Sequence, residues 1–127
     1  VSESKRVTRT PHAQIMRALH TELDSIMPHL PRRDDLTDDQ RGQITCGAAV
    51  ALQARAYLYD GDWAKAERYC NRLISQQEKY GHYSLFPNYA ALFTQEAEYN
   101  EEIIADCEYA PKVRACSTWH RCRLVHV

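Results

Sequence analysis

Apolar residues recur at helical spacing along much of the chain. Ile15, Leu19, Leu23, Ile26 and Met27 follow one another at steps of four, four, three and one, which puts them on one face of a helix. Thr10-Pro11 marks its start, with Thr10 as the N-cap and proline in the first turn. Pro28 and Pro31 end it, so the spacing predicts a helix over 11–27. Residues 28–42 hold two prolines, a charge cluster and a glycine, and read as an exposed connection.

From Gln43 the pattern is helical again through ITCGAAVALQARAYLY, which is rich in Ala and Leu and free of Pro. Ala48, Ala49, Ala51, Ala54 and Ala56 let another helix approach closely. Gly47 costs up to ~1 kcal/mol relative to Ala inside a helix, which points to close packing there or to a later helix start. Asp60-Gly61-Asp62 ends the run: Gly61 supplies the left-handed residue and Asp62 caps the next helix. Trp63, Ala66, Cys70, Leu73 and Ile74 form the inner stripe of this third helix, which ends near Glu78. Two helices joined by so short a turn run antiparallel.

Beyond Glu78 the periodicity breaks. Gly81 and Pro87 divide the next stretch into short pieces, and Asn88 caps a short helix carrying Tyr89, Leu92 and Phe93. The acidic QEAEYNEE reads as a solvated loop. Glu102-Ile103-Ile104 with Cys107 and Tyr109 fits either a short strand or a last helical turn.

Composition narrows the class. The 127 residues suffice for one domain, and 44% hydrophobic with 26% charged residues excludes collagen-like and wholly disordered chains. The net charge of −1 provides no global field for nucleic acid or an anionic membrane. Charge is unevenly placed: seven positive and seven negative groups cancel over 1–42, five face ten over 43–111, and 112–127 carries four positive and none negative. Those last sixteen residues read as a basic tail. No apolar stretch approaches the ~20 residues of a membrane span. VSESKRVTRT lacks the layout of a secretion signal, which leaves an intracellular protein or an address outside this chain.

Tyr57, Gly61, Trp63 and Ala66, with Ala54 three residues before the tyrosine, resemble the tetratricopeptide unit, in which aromatic and small residues interlock two antiparallel helices. One such unit cannot bury both faces and wants neighbours. The longer order is more specific. An Ala-rich helix ending in Ala54-Arg55-Ala56-Tyr57-Leu58-Tyr59 is followed by Gly61-Asp62-Trp63 and Lys65-Ala66. Then come Tyr83-Ser84-Leu85, Pro87-Asn88-Tyr89 with Leu92-Phe93, and Asn100-Glu101-Glu102-Ile103-Ile104. This order, together with the first helix and its Leu30-Pro31 exit, resembles the SusD/RagB family over about 10–109.

The resemblance implies an all-α fold of tetratricopeptide-like antiparallel hairpins with an irregular C-terminal portion. Residues 1–111 would be a partial SusD-like scaffold domain, and 112–127 the basic tail. It also implies noncatalytic glycan capture by a lipid-anchored protein on the bacterial outer-membrane surface, beside a TonB-dependent transporter and without nucleic acid. Family members are several times longer, carry a lipidated N-terminal cysteine and place much of their ligand surface in later segments. Here Ala105-Asp106-Cys107 replaces a more apolar continuation. The chain therefore reads as a fragment or truncated homologue. No glycan-contact residue of the family matches a position here, so the ligand-binding residues stay unassigned. The alternative is a generic helical-repeat module that binds a protein partner.

Candidate chemistry has plain competing readings. Tyr57 and Trp63 sit at hairpin-core spacing, whereas Tyr80, Tyr83, Tyr89 and Tyr99 lie in loop-like sequence where exposed rings offer sugar-stacking faces. Arg55 reads as an inward structural ion pair rather than an anion site. Asp34, Asp35, Asp38 and Asp39 lack the ligand spacing and turn glycine of a calcium loop. Cys116, His120, Cys122 and His126 are a zinc-compatible set without finger spacing, so neither metal nor cofactor is expected. Cys46 and Cys70 would be offset by ~9 Å along a hairpin, beyond disulfide reach, and read as small buried residues. No phosphate loop, nucleophile elbow or HExxH motif is present, so no catalytic residue is assigned.

Overall fold

A computed structural model describes residues 9–40, 42–94, 97, 99–106 and 123–125. The helices are α1 (His12–Ile26), α2 (Cys46–Tyr59), α3 (Trp63–Ser75) and the single turn α4 (Gln77–Tyr80). Short 3-10 turns cover Met27–His29, Arg33–Asp35, Asp38–Gln40 and Ala91–Phe93. A minimal two-strand ladder pairs β1 (Ala105–Asp106) antiparallel with β2 (Arg123–Val125). The zinc-compatible set Cys116, His120, Cys122 and His126 lies outside the described residues.

The hairpin forms for the reasons its turn chemistry dictates. Thr45 caps α2 by accepting from the Ala48 amide at 3.2 Å. At the other end Gly61 takes φ +77°, and the Asp62 amide returns to the Tyr57 carbonyl at 3.0 Å. Asp62 then caps α3 through the Lys65 amide at 3.2 Å. The Lys65 ammonium lies 5.0 Å from the Tyr57 ring centre, while the Cys46 thiol, at the far end of α2, faces the Lys79 and Tyr80 carbonyls. The start of α3 thus meets the end of α2 and the start of α2 meets α4, so the two helices are antiparallel.

α2 is the central rod. Cys46 through Ala51, with Gln53, Ala54 and Ala56, are all buried. α3 covers it with Ala66, Tyr69 and Leu73, at steps of three and four. This corrects the expected inner stripe: Trp63 and Ile74 are exposed at 68% and 64%, and Cys70 is exposed as well. Trp63 starts α3 just past the turn, and Tyr69 takes the inner position because its hydroxyl finds a partner, donating to Asp24 at 2.8 Å. Cys46 is buried as expected, and burial pushes its thiol up.

α1 is more loosely seated than its stripe implies. Leu23 and Met27 are buried and Leu19 half-buried, but Ile15 and Ile26 are exposed. Its N-cap position is Pro11, not Thr10, and makes no side-chain cap. What α1 adds is polar. Gln53, wholly buried in α2, accepts from His20 Nδ1 at 2.7 Å and donates to the His20 carbonyl at 3.0 Å and to Asp24 at 3.1 Å. Both amide hydrogens and the carbonyl oxygen are therefore engaged, which fixes His20 with its proton on Nδ1. The His20 ring stacks on Tyr57 with centres 3.7 Å apart, and Tyr57 stacks in turn on Tyr69 at 5.4 Å.

Gly47 is explained by close packing rather than by a later start. A Cβ there would fall on the Tyr83 ring, 2.7 Å from Cε2. Gly47→Ala sets overpacking of ~1–3 kcal/mol against ~1 kcal/mol of regained helix propensity, so a net destabilisation of about 1 kcal/mol is expected in urea denaturation. In a Tyr83→Ala background the same substitution should instead stabilise, because the obstructing ring is gone.

Candidate functional site

The connection between α1 and α2, expected to be merely exposed, builds the most structured polar site among the described residues. Leu30-Pro31 brings the chain back so that the Pro31 carbonyl accepts from the Cys46 amide at 2.9 Å. The following 3-10 turn aims Arg33 at the segment before β1. Its guanidinium donates to the carbonyls of Tyr99 at 2.8 Å, Asn100 at 2.7 Å and Ile103 at 3.3 Å. A planar fork suits three acceptors arrayed on one loop, where an ammonium would reach fewer. Tyr83 lies beneath the guanidinium at 5.4 Å, with its hydroxyl 3.4 Å from the Thr45 hydroxyl. Burial raises the Tyr83 phenol, which stays protonated.

The held loop has an unusual backbone. Tyr99 adopts φ +60°, a conformation that costs a non-glycine residue ~1–3 kcal/mol and persists where its surroundings over-determine it. The Arg33 clasp supplies that constraint. Ser84 reinforces it by bonding both the carbonyl and the carboxylate of Glu101, and Glu102 accepts from the Phe86 amide at 2.9 Å. The acidic stretch read as a solvated loop is thus pinned through 99–103.

Beside the clasp opens a cleft of about 250 Å3, lined by three separate segments: 33–36, 42–45 and 99–105. Asp34, Gln43 and Tyr99 bring polar groups, and Leu36, Ile103 and Ile104 form apolar walls. Asp34 accepts from Arg32 at 3.0 Å and from the His82 amide at 3.2 Å. Partial burial opposes its ionisation, but the His82 amide and Arg32 outweigh it and hold the carboxyl below the usual aspartate value.

The other residues singled out from sequence are scattered. Tyr80 is buried in the core rather than exposed in a loop, and Tyr83 is half-buried against it. Tyr89 is exposed and meets Phe93 edge-to-face at 5.2 Å. Asn88 caps the Ala91–Phe93 turn as expected, accepting from the Ala90 and Ala91 amides. Arg55 faces outward, not inward, with its guanidinium 3.3 Å from the Tyr59 hydroxyl. Asp39 accepts from the Thr37 hydroxyl, away from Asp34. Among the described residues no group of three or more His, Cys, Asp or Glu is placed to hold a metal ion. Arg33 and Gln43 escaped the sequence reading. The available signal was a short arginine-bearing turn between two proline- and glycine-marked bends, which composition alone assigns to solvent.

Comparison with known proteins bears on this architecture. The chain is 27% identical over 114 residues to SusD-like protein P25 of Formosa agariphila, a match covering 90% of this chain and 20% of that protein. The chain is similar to SusD-like proteins. The same fold recurs in the crystal structure of a SusD-like protein from Bacteroides fragilis, with a TM-score of 0.72 at 22% identity over 87% of this chain and 21% of that one. No family model matches the chain. The chain spans about a fifth of the length of each of these two proteins.

Two tests address the clasp. Arg33→Ala leaves partly buried carbonyls without their charged donor and should cost about 2–4 kcal/mol in urea denaturation. Arg33→Lys should restore less than half of this, and hydrogen exchange at 99–103 should accelerate in both variants. Asp34, whose folded value is depressed, contributes stability above the ordinary aspartate range near ~3.9 that is lost as pH falls through its folded value. Asp34→Asn should lower stability at neutral pH and flatten its decline on acidification below about pH 4, measured by thermal unfolding across pH.

Proposed function

We propose that the chain is the helical scaffold portion of a noncatalytic glycan-capture protein of the bacterial outer-membrane surface, lipid-anchored in its full-length form and feeding a TonB-dependent transporter. In this reading 1–111 form part of the scaffold domain and 112–127 a basic extension. The observation that carries it is the SusD-like likeness in both sequence and fold over nearly the whole chain. Two structural features support it. Among the described residues α3 is followed not by another long hairpin but by the single turn α4, capped turns and the clasped loop, which departs from a plain tetratricopeptide array. No described helix is long and apolar enough to cross a membrane, which suits a protein held at a surface by other means.

Affinity gel electrophoresis over a panel of polysaccharides tests the proposal. The natural full-length protein containing this segment should be retarded by at least one polysaccharide, and the 127-residue chain much less by the same one. Absence of retardation of the full-length protein by every glycan would refute capture. Equal retardation of the short chain would refute the scaffold role.

A further inference from the structure

Within the polar contacts that seat α1 on the hairpin, one buried atom is unsatisfied. The Gln53 carbonyl oxygen accepts from His20 Nδ1, and the Asp24 carboxylate accepts from the Gln53 amide and the Tyr69 hydroxyl. His20 Nε2 is buried and has no hydrogen-bond partner among the described residues. With the proton held on Nδ1, Nε2 presents a lone pair. It faces the Asp60 carboxylate, 3.8 Å from Oδ2. Two acceptors so placed gain nothing from each other, and a buried polar atom left unpaired lowers stability.

The pair spans a joint. Asp60 ends α2 where the chain turns into α3, whereas His20 lies on α1, which keeps Ile15 and Ile26 exposed and so meets the hairpin through little apolar surface. The imidazole is held in place: its ring lies flat on Tyr57 with centres 3.7 Å apart, and Nδ1 is tied to Gln53. Its remaining freedom is to take a second proton, the change that histidine ordinarily makes between about pH 8 and about pH 5. A proton on Nε2 turns the lone pair into a charged donor aimed at a carboxylate, so both ring N–H groups have acceptors. The neighbouring charges have partners of their own. Asp24, one turn along α1, receives Gln53 and Tyr69, and Lys65 of α3, 5.0 Å from the Tyr57 ring centre, pairs with Asp62 at 2.9 Å. Arg72 of α3 lies over the Tyr69 ring at 4.4 Å. His12, earlier on α1, comes within 3.7 Å of Asp60 Oδ1, but its side chain is 76% exposed against 12% for His20.

We propose that His20 and Asp60 form a proton-operated latch between α1 and the turn of the hairpin, open while the imidazole is neutral and closed when Nε2 takes a proton. The proton comes from solvent and stays on Nε2, and no covalent bond other than N–H forms. A small shift of the Asp60 side chain, which is partly exposed at a helix end, brings its oxygen into hydrogen-bond range. The added hold on α1 is present where the imidazole carries both protons and is lost as pH rises and Nε2 gives its proton up. The latch is a property of the fold and stands apart from what the full-length protein captures.

A double-mutant cycle on the 127-residue chain tests this, with His20→Gln, Asp60→Asn and the double variant unfolded in urea at about pH 5 and about pH 8. The two sites should be coupled about five-fold in the unfolding constant at the lower pH and less than about two-fold at the higher. The coupling at the lower pH should persist in a His12→Gln background. NMR of the ring nitrogens reads the same event in the folded chain. Nδ1 alone should carry a proton at about pH 8 and both nitrogens at about pH 5, with the Nε2 proton slower to exchange in the parent than in Asp60→Asn. Equal coupling at the two pH values would overturn the latch, as would loss of the coupling when His12 is replaced. A proton on Nε2 alone at about pH 8, or a single ring proton still at about pH 5, would overturn it too. Should His20→Gln fail to fold, the ring nitrogens of the parent and of Asp60→Asn decide.

Discussion

A helix buried on nearly every side cannot be stabilised by one neighbour, and α2 is such a helix. Nine of its residues are buried, and most of them are small. Small side chains bury little area each, so the gain comes from the closeness of backbones that they permit. That closeness has to be supplied from several directions. Ala66, Tyr69 and Leu73 of α3 supply one side, Leu23 of α1 and Met27 in the turn after it a second, and Tyr80, Tyr83 and Ile104 a third. Gly47 marks where the third approach is tightest, because the Tyr83 ring occupies the space of the missing Cβ.

Gln53 converts that packing into a specific arrangement. An amide with no exposed surface costs heavily if any of its hydrogen bonds is lost, so α1 has to sit where His20 and Asp24 reach it. Asp24 also receives the Tyr69 hydroxyl, so one carboxylate aligns side chains of α2 and α3 together. The modest apolar contact of α1 is therefore no measure of how firmly its position is set. Shape holds α2 against α3, and polar satisfaction sets α1 against both.

The contrast explains what could be read from the chain and what could not. The hairpin was legible because its determinants are local: Gly61 turns, Asp62 caps, and five alanines recur along α2. Choosing Trp63 over Tyr69 for the inner face failed because both fit a helical stripe, and the decision rests on Asp24, which is 45 residues from Tyr69. Tyr80 and Tyr83 resemble loop residues because Gly81 breaks the pattern around them, although the core needs their rings. Arg33 was the furthest from view. Pro31-Arg32-Arg33-Asp34-Asp35 has the composition of solvated sequence, and the partners of Arg33 are carbonyls, which carry no signature in the amino-acid sequence.

That choice of acceptors shapes the surface as well as the fold. An arginine paired with the carboxylates of Glu101 or Glu102 would have neutralised them. Holding backbone oxygens instead, Arg33 fixes the path of 99–103 while leaving those carboxylates to fasten Ser84 and the Phe86 amide. One residue therefore sets the loop's backbone, including the positive φ of Tyr99, and its guanidinium keeps its charge, because carbonyl oxygens bind it without neutralising it. Disturbing Arg33 therefore disturbs the path of 99–103 and the wall of the cleft together.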